Sequence, residues 1–323
     1  VLLMNKMKSQ TRNRLLLLLL LASLSGLLYL MPMEYPLTGF IMKLRSQKLL
    51  AYLLVAIAGG LATISFQTIT ENRFLTPSIL GMESLYVFMQ TIYLFFASKF
   101  ICNTGHPLLE FILVLLIQCG FFFCLQPALK KLLQQGFVFI LLICMALGTL
   151  FRSASTFLQV LMDPNEYDKL QTKLFPSFQR INMDILSVAA IIIGLAGLYL
   201  LKKNAILNVF HLDKKTATIL GVEVEKEQKK ILWAIVLLTS TTTALVGPMM
   251  FFGFMMSNLA YLLIKEYQHK WLFSVAILLG FLSLTTGQML VERVFQLQIN
   301  VSMVIELVGG LFFFYLLAKE VKR

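Results

Sequence analysis

Charge is scarce in this chain. Only 14% of its 323 residues are Asp, Glu, Lys or Arg, whereas 58% are hydrophobic and the mean hydropathy is +0.81. No soluble domain needs that much apolar surface, so the composition indicates an all-α integral membrane protein that crosses the bilayer many times. Alternation of apolar and polar residues is also missing. The apolar runs are continuous, which argues against a transmembrane β-barrel. The four cysteines (102, 119, 124, 144) and three histidines are scattered and show no paired-ligand spacing, so they make neither a disulfide framework nor a metal site. There is no G-x-x-x-x-G-K-S/T phosphate loop and no H-E-x-x-H. No His, Asp and Ser constellation suggests a membrane enzyme. The chain is expected to do no covalent chemistry and to bind no cofactor of its own. If its work requires ATP, another chain hydrolyses it.

What the sequence has in abundance is apolar runs of helical length. Ten are expected to span the membrane: 15–31, 49–70, 77–98, 108–126, 136–161, 184–201, 231–247, 251–264, 271–291 and 301–318. A cleaved signal peptide is an alternative for the first, but no clear small-x-small site follows it. With both termini in the cytoplasm, about 19 of the 28 Lys and Arg fall on the cytoplasmic side. The main violation is Lys43, Arg45 and Lys48, which this topology puts outside. The formal charge of +12 is better matched to anionic lipid than to nucleic acid.

The longest polar break runs over 202–230 and contains seven lysines, so it belongs in the cytoplasm. Its centre, 212–222, is expected to be a short helix closed by Gly221 as C-cap. Either an ordinary charged loop or a part that a soluble partner pushes on fits this composition. Among ionisable residues within spans, where charge costs roughly 2.5–3.5 kcal/mol, three stand out. Arg152 either lines a path or snorkels to the outer interface. Glu83, expected near the inner end of its span, either caps that end or has a role in the path. Glu306 lies in the last span and either faces a partner chain or is structural. Gly247-Pro248 fits a tight turn at a helix end, and Gly59-Gly60 and Gly309-Gly310 fit close helix packing.

Four stretches, in order, carry a resemblance. Gln67, Asn72, Pro77, Leu80 and Gly81 keep the spacing of Q-x-x-x-x-N-P-L-A-x-P-x-x-L-G. Leu212, Ala217, Leu220, Gly221 and Val222 fit L-G-x-x-x-A-x-x-L-G-V. Gly247, Pro248, Gly253 and Ala260 fit G-P-I-G-F-V-G-L-V-V-P-H-I-A-R, whose Pro-His and Arg are lost at Ser257-Asn258 and Tyr261. Gly309 to Phe313 follow G-x-P-F-F without its proline. The chain thus resembles the permease subunits of type II ABC importers, the family that takes up iron–siderophore complexes, haem and vitamin B12. The 65–81 variant resembles the iron–siderophore branch, especially permeases that pair with a second, non-identical one.

The resemblance implies a single permease domain over 1–323, with a cytoplasmic loop, 203–230, that carries an ATPase-coupling helix. It implies Leu212, Ala217, Leu220, Gly221 and Val222 as that helix, and Arg45, Lys48 and Arg293 as docking cations for an extracytoplasmic binding protein. It makes Arg152, Glu83 and Glu306 candidates for the translocation path. Gln67, Asn72, Pro77, Gly81, Gly247, Pro248 and Gly253 become helix-break or packing positions. The expected partners are a second permease, two ATPase subunits holding ATP and Mg²⁺, the binding protein and the lipid of a bacterial cytoplasmic membrane; no nucleic acid is expected. Haem or vitamin B12 import, and ion-coupled secondary transport, are the alternatives.

Overall fold

The computed structural model describes residues 2–31, 39–100, 107–133, 137–179, 181–212, 214–264, 267–296 and 299–321. Thirteen α-helices account for nearly all of them: α1 (Leu2–Leu30), α2 (Gly39–Thr70), α3 (Met82–Phe100), α4 (Pro107–Leu133), α5 (Phe137–Val160), α6 (Pro164–Leu174), α7 (Met183–Lys202), α8 (Asn204–Phe210), α9 (Lys214–Ile219), α10 (Val224–Val246), α11 (Met250–Leu263), α12 (His269–Arg293) and α13 (Val301–Val321). No strand occurs among the described residues. Eight helices are long and apolar enough to cross a membrane; α11, with 14 residues, is a shorter apolar helix, and α3 has 19 residues. Together these ten occupy the ten runs expected from the sequence.

The bundle is built around α2. Of its apolar window 72% is buried, against 17% for α5 and 22% for both α4 and α13, whose open apolar faces suit lipid or another helix. Small residues let its neighbours come close: Ala51, Ala56, Ala58 and Ala62 are buried, and a Cβ on Gly60 would meet the Ile277 backbone nitrogen at 3.4 Å. α12, α10, α7 and α11 pack around it.

Three boundaries differ from the sequence reading, each for a local reason. α2 begins at Gly39, so Lys43, Arg45 and Lys48 ride its first turns, ahead of the expected start at residue 49. α10 begins at Val224, because Lys226–Glu223 (2.9 Å) and Lys230–Glu227 (3.1 Å) are i,i+3 pairs that keep a polar turn helical. α6 forms in the acidic connection after α5; Pro164 occupies its first turn and Leu170 is fully buried beneath it. The 203–230 segment is therefore mostly helical.

Candidate functional site

Within that segment, α9 ends as expected. Gly221 has φ +80°, its N–H donates to Thr218 O and Val222 N–H donates to Ala217 O, both at 3.0 Å. This double closure is a Schellman cap. Ala217 is fully buried, whereas Leu212, Ile219 and Leu220 are 64%, 85% and 61% exposed. Asp213 lies outside the described residues. An apolar knob at the end of a membrane bundle leaves hydrophobic surface uncovered.

Behind the knob is a rigid mount. α8 buries Leu207 and Phe210, and Asn208 Oδ1 accepts from the His269 backbone N–H at 2.8 Å and lies 2.7 Å from His269 Nδ1. His269 Nε2 reaches Thr68 Oγ1 at 2.7 Å, and Gln228 Nε2 donates to Ile69 O at 3.4 Å. Lys203 Nζ pairs with Glu227 at 2.7 Å. These contacts tie the connection to α2, α10 and α12. Sequence reading did not single out His269, Asn208, Thr68 or Gln228, since their pairing depends on helices distant in the chain.

The end of α2 explains the Gln67–Asn72 spacing. Gln67 Nε2 donates to Arg73 O at 2.6 Å, Asn72 N–H donates back to Gln67 O at 3.2 Å, and Asn72 Oδ1 accepts from Phe74 N–H at 2.9 Å. Two departures from the family pattern meet at Arg73. Asn258 Nδ2 donates to Arg73 O at 3.3 Å, and the guanidinium sits 4.6 Å from the centre of the Tyr261 ring. The Arg73 guanidinium thus lies against the ring that stands where the family pattern has its arginine. Beside it lies a cavity of about 400 Å³, lined by Gln67, Glu71, Arg73, His211 and Leu212 among others. Burial, and then Arg73, hold the His211 imidazole below its ordinary pKa.

From Arg73 the chain turns back into the bundle through a 3-10 turn, Pro77–Leu80, that packs against α5 and α10. Non-helical backbone at membrane depth is tolerated where protein buries it or it lines a cavity. Gly81 makes this possible. Its φ is +78°, and a Cβ there would meet Cys144 O at 3.2 Å. Glu83 is consequently not at the end of the bundle near α9. It lines a cavity beside Thr239, Thr243 and Gly247, and at 1.5 Å per residue Thr243 is about 28 Å along α10 from Val224. Glu83 is 5% exposed, and its Oε1 accepts from Ser78 Oγ at 2.8 Å. Arg152, which is exposed, and Glu306, which is partly buried, both lie within electrostatic reach of it. Nearby, Gln118 Nε2 donates to Met82 O at 3.0 Å, another partner the sequence did not reveal.

The glycines at the far end of α10 are set by contacts. Gly247 has φ +106°, and a Cβ there would stand 3.1 Å from Pro176 Cα; half-buried Pro248 follows it. A Cβ on Gly253 would strike Thr63 Oγ1. Gly309 leaves room for Phe251, and Phe313 packs edge-on against Phe254 with ring centres 5.0 Å apart.

A model of the FecCD transport family matches residues 15–319. The chain belongs to the FecCD transport family. It is 39% identical over 280 residues to the petrobactin import system permease protein YclO of Bacillus subtilis (strain 168), covering 86% of this chain and 88% of that one. It is 32% identical over 303 residues to the petrobactin import system permease protein FatC of Bacillus anthracis, covering 93% and 86%. The fold matches a metal-chelate type ABC transporter solved in an inward-facing conformation, with a TM-score of 0.81 at 22% identity over 96% of this chain and 99% of that one. This FecCD protein has the type II ABC importer permease fold, and is a multi-pass membrane protein and a transport component.

In this FecCD chain the cations at the end opposite α9 are unequal. Arg45 pairs with Glu292 at 3.0 Å, donates to Tyr29 O and lies 5.1 Å from the centre of the Tyr29 ring. Gln288 Nε2 holds the other Glu292 oxygen at 2.9 Å. Lys48 is half-buried, and Arg293 is exposed. Arg45 thus clamps α2 to α1 and α12. The Arg45 and Glu292 side chains are 18% and 21% exposed, so a double-mutant cycle of Arg45→Ala with Glu292→Ala, read from thermal midpoints in detergent, is expected to give a coupling of about 1 kcal/mol. A coupling indistinguishable from zero contradicts the clamp.

Proposed function

We propose that this chain is one permease subunit of an ATP-driven importer for a ferric siderophore of the petrobactin class, set in a bacterial cytoplasmic membrane. The observation that carries the substrate is that two relatives sharing most of their length with this chain are both petrobactin import permeases. The end bearing α9 faces the cytoplasm, as its lysines require. Leu212 and Leu220 insert into an ATPase subunit, while Ala217, Gly221 and Val222 hold the helix that presents them. ATP and Mg²⁺ reside on that ATPase. A second, non-identical permease completes the pore, and alternation between two packings carries the cargo.

At the outer end, Arg293 and Lys48 meet acidic residues of a binding protein, with Arg45 positioning the surface. Such charge pairing governs on-rate and register more than affinity. Arg152 lies where a path between the permeases attracts an anionic chelate, with Glu83 and Glu306 behind it.

The test is uptake by proteoliposomes containing both permeases and the ATPase, supplied with the binding protein. ATP-dependent accumulation of ferric petrobactin is expected to exceed that of a ferric hydroxamate, haem or cobalamin by at least about ten-fold, a difference of about 1.4 kcal/mol. Preferred uptake of haem or cobalamin overturns the substrate assignment and leaves the fold intact.

A further inference from the structure

The cavity at Glu83 has a chemistry that transport of a large chelate does not use. Its volume is about 50 Å³, enough for one or two small ligands and far too little for a siderophore. Glu83 Oε1 is held by Ser78, but Oε2 is buried and receives no hydrogen bond. Glu83 lies in the first turn of α3, whose dipole favours a negative charge but leaves Oε2 without a donor.

Four of the six hydroxyls around it have their protons committed elsewhere. The cavity is lined by Thr63, Thr76, Ser78, Thr239, Thr242 and Thr243. Ser78 donates to Glu83 itself. Thr239 donates to Ile235 O at 2.9 Å, Thr242 to Thr239 O at 2.9 Å and Thr243 to Thr239 O at 2.8 Å. A hydroxyl has one proton, so these four oxygens have only lone pairs left for the cavity. A buried carboxylate oxygen facing hydroxyl lone pairs repels anions and attracts a cation. Among the described residues no group of three His, Cys, Asp or Glu gathers here, so the donors suit a hard ion of low charge, not a transition metal.

We infer that this cavity binds one alkali-metal cation, with Glu83 Oε2 as the charged ligand and the hydroxyl oxygens of Thr242 and Thr243 among the neutral ones. The ion joins the re-entrant turn and α3 to α10 and α2. It is a structural ion within the bundle, and the inference does not depend on the petrobactin reading.

The test is the thermal midpoint of the full-length chain in detergent, titrated with NaCl or KCl replacing choline chloride at fixed ionic strength. A saturable rise of about 3–6 °C with one alkali ion is expected, and none with choline. Glu83→Gln is expected to abolish the rise, and Thr243→Val to raise the half-saturating concentration at least about ten-fold, or 1.4 kcal/mol. Should Glu83→Gln fail to insert, Thr243→Val decides. Equal midpoints in all salts for the unmodified chain overturn the site. So does a rise that Glu83→Gln or Thr243→Val leaves unchanged, or one produced only by lowering pH, which assigns Glu83 a proton.

Discussion

Leu220→Asp is expected to abolish ATP-driven uptake while the protein still inserts and folds. Leu220 is 61% exposed and follows the last turn of α9, where only its backbone takes part in the cap. Exposed positions of this kind change stability by about 0.5 kcal/mol or less. In the proposed assembly the same side chain enters an apolar pocket of the ATPase. A carboxylate there is buried without a partner, which costs several kcal/mol or keeps the subunits apart. Coupled uptake in proteoliposomes is therefore expected to fall by at least about 100-fold, equivalent to about 2.7 kcal/mol. Co-purification of the ATPase should fall with it, while the thermal midpoint in detergent stays within about 2 °C. Glu225→Ala, on the first turn of α10, is the matched control and leaves uptake near normal. Normal ATP-driven uptake by Leu220→Asp means that 212–222 is only a loop.

Gly247→Ala has the largest expected effect on stability. At φ 106° and ψ 178° the residue occupies a region essentially restricted to glycine. The added methyl would also stand 3.1 Å from Pro176 Cα, a backbone atom. That atom has little freedom to retreat, because Ser177 N–H donates to Val246 O at 2.9 Å and Ser302 Oγ donates to Pro176 O at 2.6 Å. Backbone strain and contact together are expected to cost about 2–4 kcal/mol and to lower the midpoint by about 5–10 °C. Gly221→Ala is the informative comparison. Gly221 is also left-handed, at φ +80°, but a Cβ there meets nothing within 4 Å. Its cost is the left-handed penalty alone, about 1–2 kcal/mol. Equal losses for the two substitutions contradict the contact at Pro176.

The contrast between these glycines also shows what was legible in the sequence. The Gly221 cap is a local event, fixed by a short helix and one residue without a Cβ, and pattern alone predicts it. The ten apolar runs are legible for the same reason, since length and hydropathy are local quantities. Charged turns at helix ends are not. Lys43, Arg45 and Lys48 looked like a break before α2, yet Arg45 finds Glu292, 247 positions away, and the helix continues through them. Glu83 was read at the start of its span and lies in the first turn of α3, but the helix-break positions Asn72, Pro77 and Gly81 did not reveal that the turn through them carries Glu83 to a cavity beside Thr243 and Gly247. The contact of Arg73, in the turn after α2, with Tyr261 of α11 is likewise visible only after folding.

The most direct test of the central claim is the energy source of uptake in the reconstituted assembly. Ferric petrobactin is followed into proteoliposomes with ATP and Mg²⁺ inside, with a non-hydrolysable analogue instead, and with ionophores that collapse proton and sodium gradients. Accumulation that requires hydrolysable ATP, and persists with the gradients collapsed, is the predicted result. Uptake that proceeds without ATP hydrolysis and stops with the ionophores contradicts the account, and would make the chain an ion-coupled transporter on the same fold.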